Sequence, residues 1–210
     1  MTVESAERAT HQTVALPPGG GLRRVVLTGF MGAGKSTVGR LLAARLGWEF
    51  LDLDAMIERK AGKAVPEIFA EFGEPHFRRL ESVALAVALG RSQVVLALGG
   101  GTPEVLTNRL LLEQTPGTST VFLQAPFPAL FDRCMLQAIE SAAPGAPGTT
   151  GPSVRPLLSD PAQAEARFAA RQPVYRRLAR VTIETADLTP EDTAGVVLAR
   201  LTELRSGPRP

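Results

Sequence analysis

Residues 24–37, RVVLTGFMGAGKST, narrow the fold more than any other stretch of this chain. An unbroken apolar run, RVVLTGF, leads into a glycine-rich turn ending in GKST. The segment after it carries Val38, Leu41, Leu42 and Leu46 at helical spacing, with Gly47 placed to cap its end. A strand without polar alternation is buried on both faces, as an inner strand of a helix-covered parallel sheet is. Gly29, Gly34, Lys35 and Ser36 fit GxxxxGK[ST] in the strand-to-helix position its mechanism requires. The glycines allow the backbone to curl until its N–H groups face phosphate oxygens, and the helix adds its positive end. Lys35 is expected to reach the β- and γ-phosphates of a nucleoside triphosphate and Ser36 to ligate Mg²⁺.

Other apolar runs repeat the first: QVVLALG (93–99), STVFLQ (119–124), RVTIE (180–184) and, less clearly, WEFLDLD (48–54). Helical patterns lie between them. Leu80, Val83, Ala84 and Val87 mark one apolar stripe; TPED sets Thr189 as N-cap and Pro190 as N1 of a last helix with Val196, Val197, Leu201 and Leu204 on its apolar side. Alternating strands and helices imply right-handed crossovers and a three-layer α/β/α architecture, with ligands at the carboxyl ends of the strands.

A length of 210 residues suits one domain. The 23 basic and 21 acidic residues are interspersed, giving a net charge of +2 that argues for local anion sites and against a nucleic-acid face. Cys134 is the single cysteine, and no Cys/His cluster has zinc spacing, which suits a reducing cytoplasm. The first residues lack the basic start and apolar core of a signal peptide, and no run approaches a membrane span, so a soluble protein with a disordered tail over 1–22 is expected.

Asp52 and Asp54 close the second strand and would share a face if that strand continued, one to position Mg²⁺ and one to take an acceptor hydroxyl. Asp54 could instead cap the following helix. Arg78 and Arg79 begin a helix, where arginines are commonly solvated. Gly99, Gly100 and Gly101 end the third strand, either as a close-approach surface for a small ligand or as a tight turn. Phe77, Trp48, Phe50, Phe69 and Phe72 read as core, and His11, His76 and Cys134 as incidental.

Taken in order, GFMGAGKST, FLDLD, GEPHFRRLE, LALGGG, RPLL and RQPVYRRLA resemble the motif series of the shikimate kinase family, from about residue 24 to 204. The resemblance implies a P-loop kinase fold with a five-stranded parallel sheet ordered 2-3-1-4-5 and a mobile lid, within a domain at 23–206. It implies ATP-dependent phosphorylation of the shikimate 3-hydroxyl, in a cytoplasmic monomer with no nucleic-acid or membrane partner. By the same resemblance Gly32, Ala33, Gly34, Lys35, Ser36 and Thr37 hold the ATP phosphates, and Ser36 with Asp52 serves Mg²⁺. Asp54, Arg78, Arg171 and the glycines Gly99 to Gly101 hold shikimate, with Asp54 as base. Arg133 and Arg155 bind ATP from either end of the lid at about 134–158, and Arg155 joins Lys35 in charge neutralisation. The 155 − 133 = 22 positions between those arginines are a long separation, filled by an Ala/Pro/Gly-rich insert at about 142–152. Leu98 and Pro103 depart from the pattern and are expected in the substrate wall. The alternatives are a kinase for another small polyol acid, such as gluconate, or a non-catalytic nucleotide- or shikimate-binding regulator.

Overall fold

The computed structural model describes residues 21–142 and 160–206. Residues 1–20 of the expected tail over 1–22, most of the insert and Arg155 lie outside the described residues. Along the chain run β1 (Arg24–Thr28), α1 (Lys35–Leu46), β2 (Glu49–Asp52), α2 (Leu53–Ala61), α3 (Val65–Leu89) and β3 (Val94–Ala97). A 3₁₀ turn (Thr102–Glu104) precedes α4 (Leu106–Gln114), β4 (Thr118–Gln124), α5 (Phe127–Ala142), α6 (Pro161–Leu178), β5 (Val181–Glu184) and α7 (Pro190–Ser206). Residues 134–142, the expected start of the lid, continue α5.

Every strand pair is parallel, in the order β2-β3-β1-β4-β5, so the expected topology holds. Burial on both faces follows from the strand period of two. Val25 and Leu27 of β1 join one core cluster with Val38, Leu42, Val121, Val197 and Leu201; Val26 joins the other with Leu51, Ile57, Leu85 and Leu96. β1 therefore lies between two apolar layers, with β3 and β4 as its hydrogen-bonded neighbours.

Local chemistry sets the element ends. Gly47 stops α1 in the left-handed region at φ 65°. Asp160 caps α6, its side chain accepting the Gln163 N–H, and Thr189 caps α7 by accepting the Asp192 N–H at 3.1 Å. Gly73, at φ 76° and ψ 169°, kinks α3, and Pro75 then falls in the first turn of the second segment, where a missing N–H costs little. That second segment carries Arg78 and Glu81.

Several sequence expectations are corrected. The second strand stops at Asp52, and Asp52, not Asp54, caps α2. Val83 and Val87 are exposed; the buried face of α3 is Phe77, Glu81, Ala84, Leu85, Ala88 and Leu89. Val196, Leu204 and Phe72 are also exposed, with Phe72 stacked on His76. Leu98 continues the β3 alternation of Val94 and Leu96 into the core and does not line a substrate wall. No helix among the described residues is long and apolar enough to cross a membrane.

Candidate active site

The loop after β1 is shaped by glycines at Gly29, Gly32 and Gly34, with φ of 148°, 75° and 81°. Gly32 also packs directly on α5: a Cβ there would press on the Leu130 carbonyl and lie 3.0 Å from Cys134 Sγ. The 12-residue helix α1 begins immediately at Lys35, directing its unpaired N–H groups at the loop. Lys35 Nζ folds back over the loop, donating to the carbonyls of Gly29 and Phe30 at 2.9 Å each. Ala33, Ser36 and Thr37 complete the turn.

Ser36 links this loop to the next strand. Its Oγ donates to Asp52 Oδ2 at 2.6 Å, while Asp52 Oδ1 accepts from the N–H groups of Asp54 at 3.1 Å and Ala55 at 3.4 Å. One carboxylate thus caps α2 and holds the Ser36 hydroxyl. No cluster of three or more His, Cys, Asp or Glu able to hold a metal occurs among the described residues. A hydroxyl and one carboxylate are nonetheless the oxygen donors that Mg²⁺ uses when phosphates and water supply the remainder.

The second wall is the glycine turn after β3. A Cβ on Gly99 would lie 2.8 Å from Asp54 Oδ1 and 2.9 Å from Glu81 Oε1; one on Gly100 would lie 3.4 Å from Arg171 Nη1; one on Gly101 would lie 2.6 Å from Arg78 Nη1. Asp54 from α2, Arg78 from α3 and Arg171 from α6 therefore converge on three consecutive residues. A Cβ on Gly99 or Gly101 would crowd these groups, whereas one on Gly100 would only touch Arg171. Arg79, next to Arg78, is exposed and reaches only the His76 ring.

Glu81 anchors this wall from below. It is fully buried and accepts from Arg78 Nη1 at 3.0 Å and Thr102 Oγ1 at 2.6 Å. Glu74 accepts from the other edge of Arg78, at Nη2 2.8 Å and Nε 3.2 Å. Burial would lower the Arg78 pKa, but the Glu81 and Glu74 carboxylates outweigh it and leave the pKa above its ordinary value. Tyr175, one turn beyond Arg171, is buried and donates its hydroxyl to the Gly100 carbonyl at 2.6 Å. Burial drives its phenol pKa well above the usual value, against the pull of Arg171.

Arg133, expected at the nucleotide, holds the segment after β5: its Nη2 donates to the carbonyls of Thr185 at 2.7 Å and Ala186 at 3.1 Å. It neighbours Cys134, which backs Gly32. Sequence reasoning missed Glu81, Thr102, Tyr175 and Glu104, the last of which accepts from Arg171 Nη2 at 2.7 Å. Glu81 stands at i+3 from Arg78 and Tyr175 at i+4 from Arg171, the spacings at which helical side chains meet.

The sheet order, the phosphate-type loop and the charged turn beside it define a P-loop kinase fold. A family model for shikimate kinase matches residues 31–202. Shikimate kinase of Mycobacterium avium is 39% identical over 181 residues, spanning 85% of this chain and 93% of that protein; the Thermobifida fusca shikimate kinase is 40% identical over 177 residues, spanning 84% and 93%. A solved structure of shikimate kinase from Acinetobacter baumannii in complex with shikimate aligns with a TM-score of 0.75 at 36% identity, covering 89% of this chain and 96% of that one. The chain belongs to the shikimate kinase family.

Proposed function

We propose that the protein transfers the terminal phosphoryl group of ATP to the 3-hydroxyl of shikimate, giving shikimate 3-phosphate and ADP. The carrying observation is the convergence of Asp54, Arg78 and Arg171 on Gly99 to Gly101, one strand from the loop that holds Lys35. Shikimate has a carboxylate for two forked guanidinium groups and hydroxyls for Asp54 and the Gly100 N–H. Neither a hydrolase nor a simple nucleotide sensor needs this second wall.

Phosphoryl transfer asks for alignment and charge neutralisation more than covalent chemistry. Gly32 to Thr37 cradle the phosphates, and Lys35 leaves the Gly29 and Phe30 carbonyls to follow the transferring group. Ser36 and Asp52 hold Mg²⁺, which when bound neutralises charge on the phosphates. Arg78 and Arg171 fix the acceptor through its carboxylate, leaving its hydroxyl toward the loop. Asp54 orients that hydroxyl and takes its proton as the new P–O bond forms and the bond to ADP breaks. Arg133 serves the nucleotide through the segment after β5 that it holds, and Arg155, outside the described residues, supplies charge from the lid. The lid insert at 142–152 is a dispensable extension. The reading carries with it a cytoplasmic monomer acting on small molecules, without a nucleic-acid or membrane partner.

The test is ADP release by the purified protein with ATP and Mg²⁺, in the presence of shikimate, gluconate or neither. Shikimate-dependent release is expected, with Lys35→Met lower by about 10²–10³-fold as a charge-stabilising donor is lost. Release that does not depend on shikimate, or gluconate turned over equally well, overturns the proposal.

A further inference from the structure

Arg171 does not face an open anion subsite, because it already grips a carboxylate of the same chain. Its Nη2 donates to Glu104 Oε2 at 2.7 Å. The guanidinium also meets the Tyr175 hydroxyl, and its Cζ packs 5.9 Å from the centre of the Phe30 ring beside Gly100. The two partners differ in freedom: the Arg171 side chain is 8% exposed and that of Glu104 43%.

Glu104 comes from the 3₁₀ turn that directly follows Gly101, so the segment assigned to the acceptor also delivers this carboxylate. The backbone there is pinned. Arg109 Nη1 donates to the carbonyls of Pro103 at 2.6 Å and Glu104 at 3.0 Å, and the Glu104 N–H donates to the Gly101 carbonyl at 2.9 Å. Release of Arg171 therefore needs only rotation of the Glu104 side chain into solvent, a motion of picoseconds to nanoseconds. The carboxylates on Arg78 are placed differently: Glu81 is fully enclosed, and Glu74 lies one turn away on the same helix. Glu104 reaches across 67 positions of sequence to an arginine with no other carboxylate among its ion pairs with the described residues.

Resting on the reading of this wall as the shikimate site, we propose that Glu104 is an internal competitor, occupying Arg171 until the carboxylate of the acceptor displaces it. One carboxylate then replaces another on the same fork, so the arginine keeps its charge partner and Glu104 regains water. A neutral acceptor cannot make that exchange. Glu104 thus raises the substrate concentration needed for half-saturation and favours acceptors that carry an anionic group.

The experiment compares wild type with Glu104→Gln and Glu104→Ala in steady-state kinetics and in calorimetric binding of shikimate and of its neutral methyl ester. Removal of a half-exposed competing charge is expected to lower both KM and Kd for shikimate about two- to five-fold. The kcat and the KM for ATP should match wild type, and the methyl ester should gain nothing. An unchanged or raised KM for shikimate in both variants overturns the inference, as does an equal gain for the methyl ester. Wild type inactive on shikimate would instead overturn the functional reading, so the two failures are told apart by the wild-type arm.

Discussion

Gly101→Ala separates the fold from the site more sharply than any other single change. Gly101 has φ −90° and ψ −10°, which alanine adopts without strain. The three atoms nearest to an added Cβ all belong to the Arg78 guanidinium, with Nη1 at 2.6 Å and Cζ at 2.7 Å. Reaching ordinary contact at 3.4 Å requires Nη1 to move by about 3.4 − 2.6 = 0.8 Å and Nη2, which is nearer still, by more, taken up by the far end of a flexible side chain. Arg78 holds Glu81 at 3.0 Å and Glu74 at 2.8 Å, so it loses alignment with at least one of them and with an incoming carboxylate. A charge-assisted hydrogen bond is worth about 1.5–3 kcal/mol, which converts to roughly ten- to hundred-fold in kcat/KM for shikimate. Stability should fall by less than this, because the restriction that alanine places on the unfolded chain returns about 0.4–1 kcal/mol against the disturbed Arg78 pair. Coupled-assay kinetics and urea denaturation on the same preparation measure both quantities. Wild-type kcat/KM in the variant, or a loss that tracks an equal loss of stability, would refute the assignment of Arg78 to the acceptor.

Glu81→Gln keeps the shape of a fully buried side chain but removes the counter-charge of Arg78; the unfolding free energy should fall by about 1–3 kcal/mol and the shikimate KM should rise. Urea midpoints and kinetics check it. Tyr175→Phe deletes the donor to the Gly100 carbonyl and should cost about 1–2 kcal/mol. The Tyr175 phenol pKa is raised in the folded protein, so its contribution is complete below the unfolded value near ~10 and is lost as pH rises above it. Melting curves between about pH 9 and 11 should accordingly fall less steeply for Tyr175→Phe than for wild type.

The elements that could be read from the sequence are those whose cause is local. The loop at Gly29 to Ser36, the strand β1 and the cap at Thr189 each depend on residues within a few positions, and each holds in the structure. The stripe on α3 failed because hydropathy placed Glu81 outside. That carboxylate is buried only because Arg78 and Thr102 satisfy it, and Thr102 lies 21 positions away. The cap of α2 falls to Asp52, where Asp54 was the candidate, for a similar reason, since the Ser36 hydroxyl holds Asp52 at the strand end. Arg171 carried no signal of its own in the sequence. It became a site residue through resemblance to a family, and the packing of α6 against the glycine turn gives that assignment its physical content. The glycines were legible as a close approach, but the groups approaching include the protein's own Asp54, Glu81, Arg78 and Arg171.

The pairing of β1 with β3 has a further consequence for what the enzyme can be made to accept. The glycine-rich loop leaves β1 and the turn proposed for the acceptor leaves β3, and the ladder between them runs in register from Arg24 with Val94 to Leu27 with Ala97, extended by the Leu98 N–H to the Leu27 carbonyl at 3.0 Å. Two parallel strands stand about 4.8 Å apart whatever their side chains. Donor and acceptor platforms therefore inherit a fixed gauge from the backbone, and new acceptors must be fitted by the lengths and charges of the side chains that span it.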